Sequence, residues 1–174
     1  MQRLYSECVG LPIMSVQTSQ MVGQFSKNTL SPDDLKITLI GVKVAMGAVQ
    51  YLLPDDVRLF DTTKIVIDSE QKLSDSEDLV RFDKMQKRNY ELISKPVITL
   101  SGKKLGKVRD YTFDTTHFLV AKLCITPGLL QRFVHSSLLI DRNDIIETKA
   151  DVIVVKESTI KVKKTASQVL PAKS

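Results

Sequence analysis

Apolar residues in the second half of the chain occur in short runs that are separated by turn residues. Residues 97–100 form a β-branched and apolar run, and the Ser-Gly pair at 101–102 supplies a glycine that tolerates positive φ. Residues 104–113 form a second run, 114–116 have the composition of a turn, and 118–125 form a largely apolar third run. The pattern predicts a coiled antiparallel sheet, in which a glycine inside the second run marks a bulge or bend.

The first half repeats this pattern at nearly constant spacing. Residues 22–25 align with 105–108, and residues 35–40 align with 118–123, at an offset of 83. Residues 65–67 align with 153–155 at an offset of 88. The offsets predict an internal duplication. Chance similarity between two β-rich halves is the alternative.

The segments outside the two repeats have different compositions. Residues 74–78 are acidic and rich in helix-capping side chains, and Leu79, Phe82 and Met85 then follow at helical spacing. After residue 155 the apolar alternation fades and lysines accumulate. We therefore predict a first repeat over 1–73, a short helical linker over 74–94, a second repeat over 95–155 and a basic, disordered tail over 156–174.

The second repeat also resembles a known family. It opens with a strand, a turn glycine and Lys-Lys-Leu-Gly-Lys-Val, and it ends on Ile-Asp-Arg-Asn-Asp-Ile-Ile-Glu at 140–147. This arrangement resembles the PRC-barrel family of small β-barrels, which is named after the H subunit of photosynthetic reaction centres. The resemblance implies a mainly β fold of two tandem small barrels. The positions that carry its structural motif are Gly23, Gly102, Leu105, Gly106, Asp144 and Ile145.

Charge is distributed unevenly along the chain. The net charge is +5, but residues 1–84 carry −3, residues 85–155 carry +4 and residues 156–174 carry another +4. The sequence lacks a signal-peptide pattern and any apolar stretch long enough for a membrane helix, and Cys8 and Cys124 are far apart. These features favour a cytoplasmic protein with reduced thiols.

Residue types that could support catalysis or metal binding have no recognisable arrangement in the sequence. His117 and His135 are the two histidines, and neither has the local spacing to Cys8 or Cys124 that metal sites use. The carboxylate pairs at 33–34 and 55–56 follow prolines, where turn formation explains them. We therefore expect no catalytic residues, no metal and no cofactor.

One cluster of charged residues remains as a candidate binding site. It comprises Lys103, Lys104, Lys107 and Arg109, which follow one predicted hairpin of the second repeat. Such a cluster can hold an RNA backbone, an acidic protein surface or anionic lipid head groups. The alternative is a solvated hairpin whose lysines discourage pairing between sheet edges.

Together these observations favour a non-catalytic adaptor or scaffold that binds a macromolecular partner. The resemblance implies a protein complex as that partner, because the better-known relatives serve a membrane protein complex or a ribosomal particle. The competing interpretation is an RNA- or ribosome-associated assembly factor that acts through the basic second repeat. Few aromatic residues and no tryptophan weigh against recognition of single-stranded nucleic acid. Peripheral contact with a membrane, without a transmembrane segment, stays open.

Overall fold

The computed structural model describes residues 1–75, 90–127 and 138–157, and the regular structure in these ranges is almost entirely β-strand. Strand β1 (Gln2–Leu4) and the one-turn helix α1 (Tyr5–Cys8) come first. The first sheet contains β2 (Pro12–Ser15), β3 (Met21–Leu30), β4 (Ile37–Lys43), β5 (Val49–Leu52), β6 (Val57–Phe60) and β7 (Ile65–Ile67). The second contains β8 (Pro96–Thr99), β9 (Lys104–Asp114), β10 (Val120–Pro127), β11 (Leu138–Asp141), β12 (Ile145–Thr148) and β13 (Ile153–Val155). The prediction of a mainly β fold built from two small barrel-like sheets is confirmed.

The two sheets have the same strand order. The first runs β5-β4-β3-β2-β7-β6 and the second runs β11-β10-β9-β8-β13-β12. In each sheet one central pair is parallel, with Ile13 opposite Ile65 in the first and Val97 opposite Ile153 in the second. The other pairs along these two paths are antiparallel.

The strand register also matches between the sheets. Phe25 faces Val42 in the first sheet, and Val108 faces Ile125, 83 positions later, in the second. A register shift leaves Ser26 outside the ladder of the first sheet, and the equivalent shift in the second sheet falls at Arg109. The structure thus has two sheets with one topology and one pattern of bulges, while the duplication of the gene segment stays a prediction.

One hydrophobic core serves both halves of the chain. Its buried residues come from strands of both sheets. Phe60 of the first half contacts Phe113 and Phe118 of the second edge to face, with centroid distances of 5.7 and 6.3 Å. Tyr5 of α1 stacks on Tyr111 at 5.0 Å. The two sheets are therefore packed against each other, and neither buries its apolar face alone.

Two equivalent turns join the halves by reciprocal hydrogen bonds. The amide of Ile37 donates to the carbonyl of Phe118 (2.7 Å), and the amide of Val120 donates to the carbonyl of Leu35 (3.1 Å). Leu35 and Phe118 both have positive φ, 53° and 56°, and both side chains are buried. The exchange relates the two turns by an approximate local twofold axis.

The N-terminal segment differs from the predicted division of the chain. Strand β1 lies antiparallel to β9, with Arg3 opposite Phe113, so it extends the second sheet instead of the first. The Ser6 hydroxyl and amide both donate to the buried Asp110 carboxylate. The amide of Tyr111 also donates to it, at 2.8 Å. The N-terminal segment pairs with the second sheet for a physical reason. It supplies hydrogen-bond donors to the buried Asp110 carboxylate, which the second sheet alone would leave with fewer partners.

Most of the predicted helical linker and of the predicted C-terminal tail lies outside the described residues. The linker's two ends do lie within them. Ser74 forms an antiparallel bridge with Tyr51, and Tyr90 forms one with Leu30. Among the described residues, no helix has the length and apolar character needed to cross a membrane.

Gly106 is predicted to be irreplaceable. A Cβ at this position would lie 1.9 Å from the carbonyl oxygen of Thr126, and its φ of 149° disfavours any side chain. We expect Gly106→Ala to reduce the free energy of unfolding by about 3 kcal/mol or more, measured by chemical denaturation. Gly102→Ala is the matched control, because Gly102 has φ 85° but open space around it. That change should cost about 1 kcal/mol. Equal losses for the two variants would contradict this explanation.

The shared core predicts that the second half is unstable by itself. A fragment of residues 90–174 loses β1, Phe60 and the two backbone partners at Leu35 and Ile37. We expect it to melt at a lower temperature than the full chain and to self-associate through the exposed turn around Phe118. Light scattering and concentration-dependent melting measure this. A monomeric fragment with the full chain's melting temperature would show that the halves are independent.

Candidate interaction surfaces

The predicted basic residues lie on the β8–β9 hairpin, which we call the basic hairpin (Lys103, Lys104, Lys107 and Arg109). Its turn is closed by backbone bonds from the amide of Thr99 to the carbonyl of Lys103 and from the amide of Gly102 to the carbonyl of Thr99, both 2.9 Å. Gly102 adopts φ 85°, as this tight turn requires. All four cationic side chains are exposed.

The four cations lie within residues 103–109 of the hairpin, among buried apolar positions of β9. Leu105 and Val108 are buried, so the residues between and beside them face solvent. No ion pair within 4 Å engages any of the four among the described residues. The carboxylate of Glu157 accepts the amide of Ser101 at 2.8 Å and lies close enough to interact with the charge of Lys103. The amide of Ser101 is the main reason that the pKa of Glu157 is lowered, and Lys103 adds to it.

The first half has no such cluster at the equivalent positions. The residues 83 positions earlier are Gln20, Met21, Gln24 and Ser26, none of which is charged. The basic hairpin is therefore a property of the second half alone, since the first half has the same strand order and register without these charges.

The residues of the predicted structural motif lie where they support the strands, the turns and the core. Gly23 lies opposite Ile13 and Gly106 lies opposite Val97, and each ladder shifts register beside its glycine. The carbonyl of Asp144 accepts the amide of Lys156 at 2.9 Å, and Ile145 packs on the core. These residues support the sheets and do not form an exposed site.

The described histidine and the two cysteines, His117, Cys8 and Cys124, belong to no metal-binding cluster in the part of the chain that the structure describes. His117 is exposed and its ring Nδ1 lies 2.9 Å from the Asp114 carboxylate. The backbone amide of His117 is the main cause that lowers the pKa of Asp114 to about 2. Burial raises the pKa of the Cys8 thiol to about 11. Within the described ranges no group of three His, Cys, Asp or Glu residues is arranged to hold a metal, and His135 lies outside these ranges.

An exposed apolar loop is a feature that the sequence does not indicate. The connection between β4 and β5, which we call the apolar tip (residues 44–49), reads Val-Ala-Met-Gly-Ala-Val. Met46 is fully exposed with φ 62°, and Val49 is 40% exposed. The amide of Val44 donates to the carbonyl of Ala48 at 2.9 Å and closes the loop. The available signal is the absence of charge from residue 44 to residue 54, which is equally typical of a continuing strand.

The structure also has a cleft between the two halves, which the sequence does not indicate. Its volume is 840 Å³, and it lies between residues 54–60 of the first half and the turn 115–119 of the second. Lys36, Arg58, His117 and Arg142 line it together with Asp34 and Asp55. These residues are distant in sequence, and only the packing of the two halves brings them together, so no local motif could have indicated the cleft.

Comparison with known proteins finds a family similarity in the second half of the chain. The family model of the PRC-barrel domain matches residues 85–169, just under half of the 174 residues. The curated proteins include no match.

Proposed function

We propose that this chain, whose residues 85–169 match the model of the PRC-barrel domain, is a non-catalytic adaptor that binds a protein complex through the outer surface of its paired sheets. The observation that carries the proposal is the apolar tip. Its methionine projects fully into solvent on a chain whose other large apolar side chains are mostly buried. The proposal includes a cytoplasmic location, which two free and buried cysteines support.

The family supports the general class of function. PRC-barrel domains mediate protein–protein interactions, so a second half of this kind is suited to an adaptor. The likeness in strand order and register leads us to extend the proposal to the first half, as a second barrel-like repeat that arose by duplication.

The backbone of the apolar tip supports a role in binding. Met46 has φ 62°, and a left-handed conformation costs a residue with a side chain about 1–2 kcal/mol. A fold retains such a conformation where the surroundings enforce it, and these positions cluster at binding sites. A loop with several exposed apolar side chains is typical of surfaces that another protein covers.

The absence of catalysis belongs to the same proposal. Several of the carboxylates that the structure describes have a local structural task in a turn or a cap. Asp61 accepts the amides of Thr63 and Lys64, and Asp141 accepts the amide of Asn143. Groups with such local tasks need no reaction to account for them.

A second candidate function rests on the basic hairpin. Four exposed cations on one hairpin are suited to contacts with phosphate groups, as in an RNA- or ribosome-associated assembly factor. The first half, at net −3, would face away from the polyanion. The same hairpin could also meet anionic lipid at a membrane surface.

The adaptor proposal predicts that charge on the apolar tip abolishes partner capture. The double variant Met46→Lys and Val49→Lys should weaken binding of the natural partner about tenfold or more, because lysine cannot enter an apolar contact without losing hydration. Quantitative affinity capture from the native cell, followed by titration of the captured partner, measures the change. The control is Leu100→Lys, an exposed apolar turn residue on the other half. Unchanged capture by the double variant would contradict the proposal.

The second candidate predicts a dependence on salt. Changing all four residues of the basic hairpin to Gln should weaken binding to RNA. The slope of log affinity against log salt should fall by roughly one unit for each phosphate group that the variant no longer neutralises. The charge-matched control changes Lys27, Lys43, Lys64 and Lys149 to Gln, all exposed and outside the hairpin. If both variants bind RNA alike at every salt concentration, the hairpin is only a solvated surface.

A further inference from the structure

The cleft between the halves has the properties of a preformed binding groove. Phe60 and Phe118 line it, and Leu59 beside them is 48% exposed. A volume of 840 Å³ is within the range of ligand sites, which combine an apolar lining with a few polar groups. The groove is partly open to solvent, so it can take an extended chain and not only a small molecule.

Two cations in the groove lack a carboxylate partner among the described residues. The Lys36 ammonium and the Arg142 guanidinium form no ion pair there. Arg142 also has one terminal nitrogen, Nη1, that is buried without a hydrogen-bond acceptor in this part of the chain. The residue as a whole is only partly buried, so its guanidinium can still pair with a carboxylate in the groove.

Asp34 and Asp55 line the groove, but among the described residues neither forms an ion pair with Lys36 or Arg142. Asp34 accepts the amide of Lys36 at 3.1 Å. Burial opposes its ionisation, yet hydrogen bonds from Ser31 and Lys36, together with the charge of Arg142, keep the pKa of Asp34 below its usual value. Asp34 thus stays charged and occupied by its own turn. Arg58 is paired with Asp68, which does not line the groove.

A smaller, more acidic site, lined by the equivalent positions of the two halves, adjoins the groove and shares Asp34 and Arg142 with it. Its volume is 110 Å³, and Asp33, Asp34 and Glu147 line it together with Arg142. The hydroxyl of Thr148 donates to the carbonyl of Pro32 across it. In the large groove the same two positions carry Phe60 and Thr115, and the Thr115 hydroxyl donates to the carbonyl of Met1 instead. The large groove is therefore wider than the small site and is lined by more basic side chains.

We propose that this groove binds an acidic peptide segment of the protein partner, with Arg142 and Lys36 holding its carboxylates and the exposed Leu59, beside the buried Phe60 and Phe118, contacting an apolar side chain. The inference deepens the adaptor function and rests on it, since it takes the occupant to be part of a protein. A guanidinium binds a carboxylate through two parallel hydrogen bonds, which selects a carboxylate of defined orientation. RNA fits less well, because bases stack on exposed aromatic faces and Phe60 and Phe118 are each only 7% exposed.

The test uses the full chain and a fluorescently labelled short peptide of alternating Glu and Leu, followed by fluorescence anisotropy. Saturable binding is expected, and the charge-reversed peptide of alternating Lys and Leu should not compete. Arg142→Gln should weaken binding about tenfold or more, because it removes charged hydrogen bonds from a half-buried site. Lys36→Gln, at an exposed position, should weaken binding about threefold and keeps the test valid if the Arg142 variant does not fold. Lys149→Gln, a cation outside the groove, should leave binding unchanged.

Several outcomes would contradict the proposed role of the groove, and the measurements distinguish them from a failure of the adaptor function. Equal affinity of the wild-type chain and both groove variants would overturn the proposal, as would an absence of saturable binding. Displacement of the peptide by polyuridylic acid in a manner that depends on Arg142 would assign the groove to RNA instead. Partner capture through the apolar tip is a separate readout. If capture persists while the acidic peptide does not bind, the adaptor function stands and the groove's role fails.

Discussion

The reciprocal hydrogen bonds between the turns at Leu35 and Phe118 are the constraint on which the rest of this structure depends. Each turn places a bulky apolar residue at positive φ, which is unfavourable by about 1–2 kcal/mol for residues other than glycine. The cost is offset because each carbonyl then receives an amide from the other half and each side chain enters the common core. Either turn alone would lose both compensations, so the strain can persist only while the two halves remain together.

Because the halves share one core and one topology, the differences between them carry the information about function. Equivalent backbone positions bear Lys104 and Met21, or Arg109 and Ser26. The first half exposes an apolar tip, and the second exposes a basic hairpin. Packing does not dictate any of these surface residues, since the opposite half shows that the same fold accepts others. The fold therefore presents two chemically different surfaces on one scaffold.

A feature can be predicted from the sequence when its signal is local, and cannot when it depends on residues that are far apart in the chain. Strands and turns depend on local alternation, so the mainly β fold and the hairpin at Gly102 are readable from spacing. The pairing of β1 with the second sheet is not readable, because Gln2 to Leu4 and β9 lie about a hundred positions apart and share no local pattern. The apolar tip resembles a strand in sequence because apolar runs are common to strands and exposed loops. The groove depends on how two sheets pack, and no periodicity encodes that.

The groove and the joint between the halves are physically linked. Phe118 supplies a backbone acceptor to Ile37, packs on Phe60 and lines the groove. Any change that loosens the turn therefore alters the spacing between the groove's two walls without touching its cations. A rigid joint holds Lys36 and Arg142 in place before a ligand arrives, so that less conformational entropy is lost on binding. The contact of Phe118 with the first half therefore stabilises the fold and also positions the walls of the groove. Both stability and recognition favour keeping this strained turn.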